Sequence, residues 1–334
     1  MIALPRFAAL CAAGVLAGCP ALADGIGGPV SGFVLDARVH ALRPIDGLPG
    51  AAALGAPLAL PFPVGMAAAV APLDYAIVTD ARGGGAPLLA RGLAGGAPSI
   101  TPLAGAIAPS RIAVASSGAA AALYSASANA LQFLSGLPAQ PQAGNPIDIS
   151  AIGPPAALAV DSTGSAAILA AQDGGIYRLS AGGAPQFIVR IPGAAAAAVL
   201  PNGRDALIAT ASGTVAAIRD FAGAGTLSTF GGAAAGLDSA AAIAAFDGQT
   251  AAVIDSAGRL ALIALNTGAL TWVDLTAGAD RFEPLGGGRY ALNGPGPRPL
   301  LLLDPAQSRT AYFVPPAPGA GPAPERGIDP RRRQ

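Results

Sequence analysis

Between about residue 26 and residue 316 the chain alternates short apolar runs with polar or glycine-containing turns, and the alternation recurs about every 40 to 46 residues. Each unit reads as apolar strand, Asp/Asn/Ser-Gly turn, apolar strand, short polar turn, third strand, Gly/Pro-rich connection, fourth strand. The clearest unit runs from Pro155 to Ile191. Its pieces are Pro155–Asp161, the turn Ser162-Thr163-Gly164-Ser165, Ala166–Ala171, the turn Gln172-Asp173-Gly174, Gly175–Ser180 and Pro185–Ile191. First strands fall near residues 66, 110, 156, 196, 240 and 280. Counting back one period reaches Ile26, which gives seven units. A period of this length with four strands per unit is the mark of a radial array. The pattern therefore predicts an all-β chain, a β-propeller of seven four-stranded blades spanning residues 24–316.

Alanine argues locally for the opposite. It is the best helix former, and Ala194–Ala198 or Ala240–Ala245 would be helical on propensity alone. A helix needs about 10–12 residues, however, and Gly, Pro or an Asx-Gly pair interrupts these runs sooner. The punctuation favours strands. In this reading Asp247-Gly248 and Asn202-Gly203 supply the positive φ of tight hairpin turns, and the small side chains let sheets approach closely at a crowded hub. The first unit is the weakest, because Ile26–Val30 is rich in Gly and Pro.

Composition narrows the function classes. The chain is 52% hydrophobic and 11% charged, with formal net charge zero, so a phosphate-backbone binder is disfavoured and no nucleic acid is expected as a partner. Met1–Arg6, Phe7–Leu16 and Ala21-Leu22-Ala23 form the n-region, h-region and cleavage site of a signal peptide covering residues 1–23. Leu16-Ala17-Gly18-Cys19 resembles a lipobox, which implies the alternative of processing before a lipidated Cys19. The apolar stretch is too short for a span, so the expected protein is exported, periplasmic or secreted, with no integral membrane segment. Cys11 and Cys19 both lie in the leader, and a chain processed after Ala23 has no thiol. The Pro/Gly/Ala-rich segment 317–334 reads as a disordered or linker-like tail, and a monomer is expected.

The parts needed for catalysis are few. His40 is the only histidine, which rules out a multi-histidine metal site within one chain, and it reads as a turn or rim residue. No G-x-S-x-G elbow is present. Gly83–Gly85 and Gly286–Gly288 precede no helix pattern and read as loops. Asp161 and Asp255 stand before glycine turns, one carboxylate each, which suits an Asx cap better than calcium. Tyr124, Tyr177, Trp272 and Tyr312 fall in strand patterns and read as inter-sheet packing. No metal or other cofactor is implied. If a ligand binds, the loops entering the inner strands are the natural place. They carry Arg111, Asp238, Asp280, Arg281 and Glu283, and the second-to-third-strand turns add Arg82, Asp173 and Arg298.

Val160-Asp161-Ser162-Thr163-Gly164 and Ile254-Asp255-Ser256-Ala257-Gly258 resemble the repeats of exported WD40-like and YVTN-type propellers. Trp272-Val273-Asp274 and Ala76-Ile77-Val78-Thr79-Asp80 approximate the signature motifs of those families. The resemblance implies the ring fold and a choice among interaction platforms, surface proteins and lactone hydrolases. The expected function is an exported, non-catalytic scaffold that binds a protein or envelope component. The alternative is a propeller hydrolase, lactonase- or glycosidase-like, using acidic residues at the channel mouth.

Overall fold

The computed structural model describes residues 29–83, 85–223, 225–230, 236–306 and 310–315. Residues 1–23, read above as a leader and including Cys11 and Cys19, and the segment 317–334 lie outside the described residues. The rest forms seven antiparallel sheets arranged as the blades of a β-propeller.

Blade 1 holds β1 (Val30–Asp36), β2 (Ala41–Asp46) and β3 (Ala53–Leu54). Blade 2 holds β4 (Val64–Val70), β5 (Tyr75–Asp80), β6 (Leu88–Arg91) and β7 (Ser99–Pro102). Blade 3 is built from β8 (Arg111–Val114), β9 (Ala121–Ser125), β10 (Ala130–Ser135) and β11 (Gln142–Ala143), with the short β12 (Ile147–Asp148) also paired to β10. In blade 4 the order is β13 (Pro155–Val160), β14 (Ala166–Ala171), β15 (Gly175–Ser180) and β16 (Gln186–Arg190). Blade 5 follows with β17 (Ala194–Val199), β18 (Ala206–Thr210), β19 (Val215–Arg219) and β20 (Thr226–Phe230). Blade 6 comprises β21 (Ala240–Ala245), β22 (Thr250–Asp255), β23 (Leu260–Ala264) and β24 (Leu270–Val273). Blade 7 closes the series with β25 (Glu283–Pro284), β26 (Tyr290–Ala291), β27 (Leu300–Asp304) and β28 (Thr310–Val314).

The apolar runs follow from the ring. A second strand is covered on both faces, so β14 and β22 are buried at every residue and need no polar alternation. Successive side chains point to opposite faces, and here those faces belong to different seams. Ala76 and Val78 of β5 pack toward blade 1, and Tyr75 and Ile77 pack toward blade 3. Each hydrophobic cluster among the described residues joins two consecutive blades. The cluster of Val34, Ile45 and Leu54 with Leu285, Leu300, Leu302 and Val314 joins the last blade to the first. That seam closes the ring. Alanine is strand here, as the punctuation required: β17 is Ala194–Val199, with Ala194 in the seam toward blade 4 and Ala196 in the seam toward blade 6.

Two local details differ from the sequence reading. Gly203 has φ 68°, but Gly248 is not left-handed; Asp247 Oδ1 instead accepts the N–H groups of Gln249 (2.7 Å) and Thr250 (2.6 Å) and shapes the turn itself. Blade 1 has three strands among the described residues, and β1 is not an inner strand. It ends in the Asp turn that closes second strands: Asp36 Oδ1 accepts Arg38 N–H (3.2 Å), as Asp80 accepts Arg82 N–H (2.9 Å) and Asp255 accepts Ala257 N–H (3.0 Å). The three sheet positions filled in blade 1 are therefore the second, third and fourth. The first strand expected at Ile26–Val30 falls mostly outside the described residues.

Candidate functional site at the channel mouth

In blades 2 to 7 the inner strands start at one face of the ring, and their first residues surround one mouth of the central channel. A cavity of about 750 Å³ opens there, walled by Arg111 and Ile112 of β8, Ala156–Leu158 of β13, Ala195–Ala197 of β17, Ala241–Ile243 of β21 and Asp280–Phe282 ahead of β25. Alanine opens part of this space, because methyl groups at the entries of β13, β17 and β21 leave that side of the mouth unfilled. Sequence reasoning assigned alanine to the hub but did not identify these particular residues as the walls. The signal was the alanine pair or run at the start of several inner strands.

Arg111 is the first residue of β8, and its Nη1 donates to the Ala156 carbonyl (2.9 Å), which pins the guanidinium across the seam between blades 3 and 4. A guanidinium has five N–H donors, and Ala156 O is the partner recorded for this one among the described residues. Across the mouth Arg281 pairs with its neighbour Asp280, Nε to Oδ1 at 2.6 Å and Nη2 to Oδ2 at 3.4 Å. Among the described residues Arg111 is paired with no carboxylate, whereas Arg281 is.

Glu283 opens β25 beside this pair and is half-buried. Loss of solvent pushes its carboxyl up to about 7; Arg281 and the Leu35 N–H of β1 oppose the rise, and Asp280 adds to it. A carboxyl that holds its proton more tightly when folded lowers stability as pH climbs from its ordinary value of 4.5 to about 7, with no further change above. Glu283→Gln is therefore expected to melt higher than the wild type at pH 8, by an amount on the order of 2 kcal/mol, and alike at pH 4. Melting curves at the two pH values check this, and a difference independent of pH would contradict it.

Asp238 does not join the mouth. Its side chain is 77% exposed and pairs with Arg259 Nη2 at 3.0 Å. The same Nη2 donates to Gly236 O (3.1 Å), Arg259 Nε reaches Asp255 Oδ2 (2.7 Å), and the guanidinium lies over the Trp272 ring at 4.6 Å. A groove of about 520 Å³ lined by Arg259, Trp272, Asp274 and Thr276 runs alongside.

The second-to-third-strand turns serve local order. Arg82 binds Asp80 and Pro61 O, and Asp173 caps Gly175 N–H and pairs with Arg190. Arg298 is exposed in the connection between β26 and β27. His40 sits in a turn at φ 50°, Nδ1 3.2 Å from Val64 O. Asp161 accepts Ser165 N–H and the hydroxyls of Thr163 and Ser165, the local role expected for it. Among the described residues no three His, Cys, Asp or Glu side chains converge as metal ligands, and no helix is long and apolar enough to cross a membrane.

The ring of seven sheets makes this chain a β-propeller, in keeping with its resemblance to WD40-like and YVTN-type repeats. It is similar to a chain in the crystal structure of a nidogen/laminin complex, with 12% identity, TM-score 0.49, and coverage of 72% of this chain and 91% of that one. It is also similar to the hydrazine synthase of Kuenenia stuttgartiensis, with 11% identity, TM-score 0.47, and coverage of 62% and 66%. No family model and no curated protein matches the sequence.

Proposed function

We propose that the protein is exported and acts in the cell envelope as a non-catalytic, monomeric scaffold that takes its partner at the alanine-walled mouth. The observation that carries this reading is the 750 Å³ cavity lined by alanines of three inner strands, with Arg111 and the Asp280–Arg281 pair among its walls and the Arg111 guanidinium anchored to the Ala156 carbonyl. Such a site suits an acidic side chain or terminal carboxylate presented by a protein or envelope component, because an arginine donates charge-assisted bonds to a carboxylate. The leader at residues 1–23, or lipidation at Cys19, supplies the route to the envelope.

Immobilised wild-type protein should retain an envelope component that Arg111→Ala loses by tenfold or more, on the order of the 1.5–3 kcal/mol of a charged hydrogen bond. Arg204→Ala is the control, because Arg204 follows β17 at the opposite face and pairs there with Asp220. Equal retention by all three proteins would remove the mouth from the mechanism.

A further inference from the structure

Outside the mouth cavity, the groove beside Arg259 and Trp272 carries its own set of polar groups. Its walls are two described stretches. One is residues 257–259, in the turn between β22 and β23; the other is residues 272–278, where β24 runs into the connection toward blade 7. Between blades 4 and 5 the matching connection takes three residues (191–193). Here it takes nine (274–282), and the first five of them line the groove. The two walls are tied together, because Ala279 N–H donates to Gly258 O (3.0 Å). The volume of about 520 Å³ falls within the roughly 300–1,000 Å³ of small-ligand clefts.

Three features of the lining set the class of ligand. First, Arg259 is fixed in advance. Its Nε donates to Asp255 Oδ2 (2.7 Å), and its Nη2 donates to Asp238 Oδ2 (3.0 Å) and Gly236 O (3.1 Å). These bonds use three of the five guanidinium N–H groups. The two on Nη1 have no partner among the described residues. Second, Asp274 and Thr276 are exposed on the opposite wall, and their side chains have no partner among the described residues either. Third, Trp272 stays 38% exposed on the outer strand although the Arg259 guanidinium lies 4.6 Å over its ring. The groove therefore offers two free donors, a free carboxylate, a free hydroxyl and an aromatic surface on a wall that is held in place.

We propose that this groove is a glycan-binding site that takes a neutral hexose ring between Arg259, Trp272 and Asp274. Charge decides against the alternatives. An anionic ligand would meet the three carboxylates of Asp238, Asp255 and Asp274 against one guanidinium. A cationic ligand would compete with Arg259 for the carboxylates and the ring that already hold it. A sugar hydroxyl both donates and accepts, so a neutral ring satisfies both kinds of free group at once. Its oxygens accept from Arg259 Nη1, two neighbouring hydroxyls donate to the two oxygens of Asp274, and its C–H surface lies against the indole. Because Asp255, Asp238 and Trp272 already hold the guanidinium, binding orders little that is not ordered beforehand. The site is separate from the mouth, and the inference does not rest on what the mouth binds.

The test is a titration of the full chain with neutral trisaccharides of glucose, mannose, galactose and N-acetylglucosamine, and with trigalacturonic acid as the anionic counterpart. Binding is followed by calorimetry and by the emission of Trp272, the only tryptophan. Expected is saturable binding of at least one neutral probe with a change in emission, and none of the acidic one. Asp274→Ala should weaken that binding about tenfold or more, the effect of one charged hydrogen bond. It should melt like the wild type, because its carboxylate has no partner among the described residues. Arg204→Ala, at the opposite face, should bind the probe as the wild type does. Binding of no neutral probe would overturn the proposal. So would binding that Asp274→Ala leaves intact, or binding of trigalacturonic acid alone, which would mark an anion site instead.

Discussion

Gly213→Ala is expected to destabilise the propeller by about 3–4 kcal/mol, the cost of a left-handed non-glycine residue added to that of overpacking against backbone. Gly213 has φ 78° in the turn between β18 and β19, and a methyl group there would fall on the Leu237 carbonyl of the connection into blade 6. Backbone on both sides of the clash cannot rotate away. The same device recurs: Gly174 (φ 86°) lies under Ile191 and Pro192, and Gly258 (φ 79°) lies under Gly278 and Ala279. Each glycine lets a turn tuck beneath the strand-entry loop of the next blade, so it sets the shape of the mouth face. Gly248→Ala is the control, because an added methyl there has no atom within 4 Å and the backbone is not left-handed. Chemical denaturation should separate the two variants clearly; equal midpoints would mean that the loop does not rest on the turn.

Asp255→Ala is the second large effect, expected at about 2–4 kcal/mol. The carboxylate is 1% exposed and accepts Ala257 N–H (3.0 Å), Arg259 N–H (2.8 Å) and Arg259 Nε (2.7 Å). Its removal leaves two turn amides without their acceptor and releases Arg259 from the face of Trp272. This exceeds the loss of one or two local bonds that the sequence alone suggests for such a turn. Trp272 is the only tryptophan, so its fluorescence reports the guanidinium directly. Asp255→Ala should change that emission as well as lower the melt, whereas Asp255→Asn keeps acceptor capacity and should fall between. Unchanged emission with a lowered melt would place the whole effect in the turn and none in the Arg259 network.

The ring was legible because seam burial writes itself into sequence. First strands expected near 66, 110, 156, 196, 240 and 280 begin at 64, 111, 155, 194, 240 and 283. Fully covered second strands give unbroken apolar runs, and the turns that end them give Asp and Gly at fixed places. The first blade was less legible because strand direction leaves no mark in composition: β1 looks like any apolar run, and only its place against β4 and blade 7 shows which position it fills. At the mouth, Arg111, Asp280 and Arg281 come together, with Glu283 beside them, because each stands at or just ahead of the start of an inner strand. Asp238 stands just ahead of one too, but Arg259 draws it to the rim. Pairings across a turn of that kind depend on side-chain reach, which spacing along the chain does not encode.

Recognition at the mouth is tested most directly by placing the photo-crosslinking residue p-benzoylphenylalanine at Ala241, which is exposed on the cavity wall, and at Asn202 on the opposite face, then irradiating cells that express each protein. The expected result is a discrete adduct from position 241 that disappears when Arg111→Ala is added, with none from position 202. An adduct from position 202 alone, or one from position 241 indifferent to Arg111, would contradict binding at the mouth.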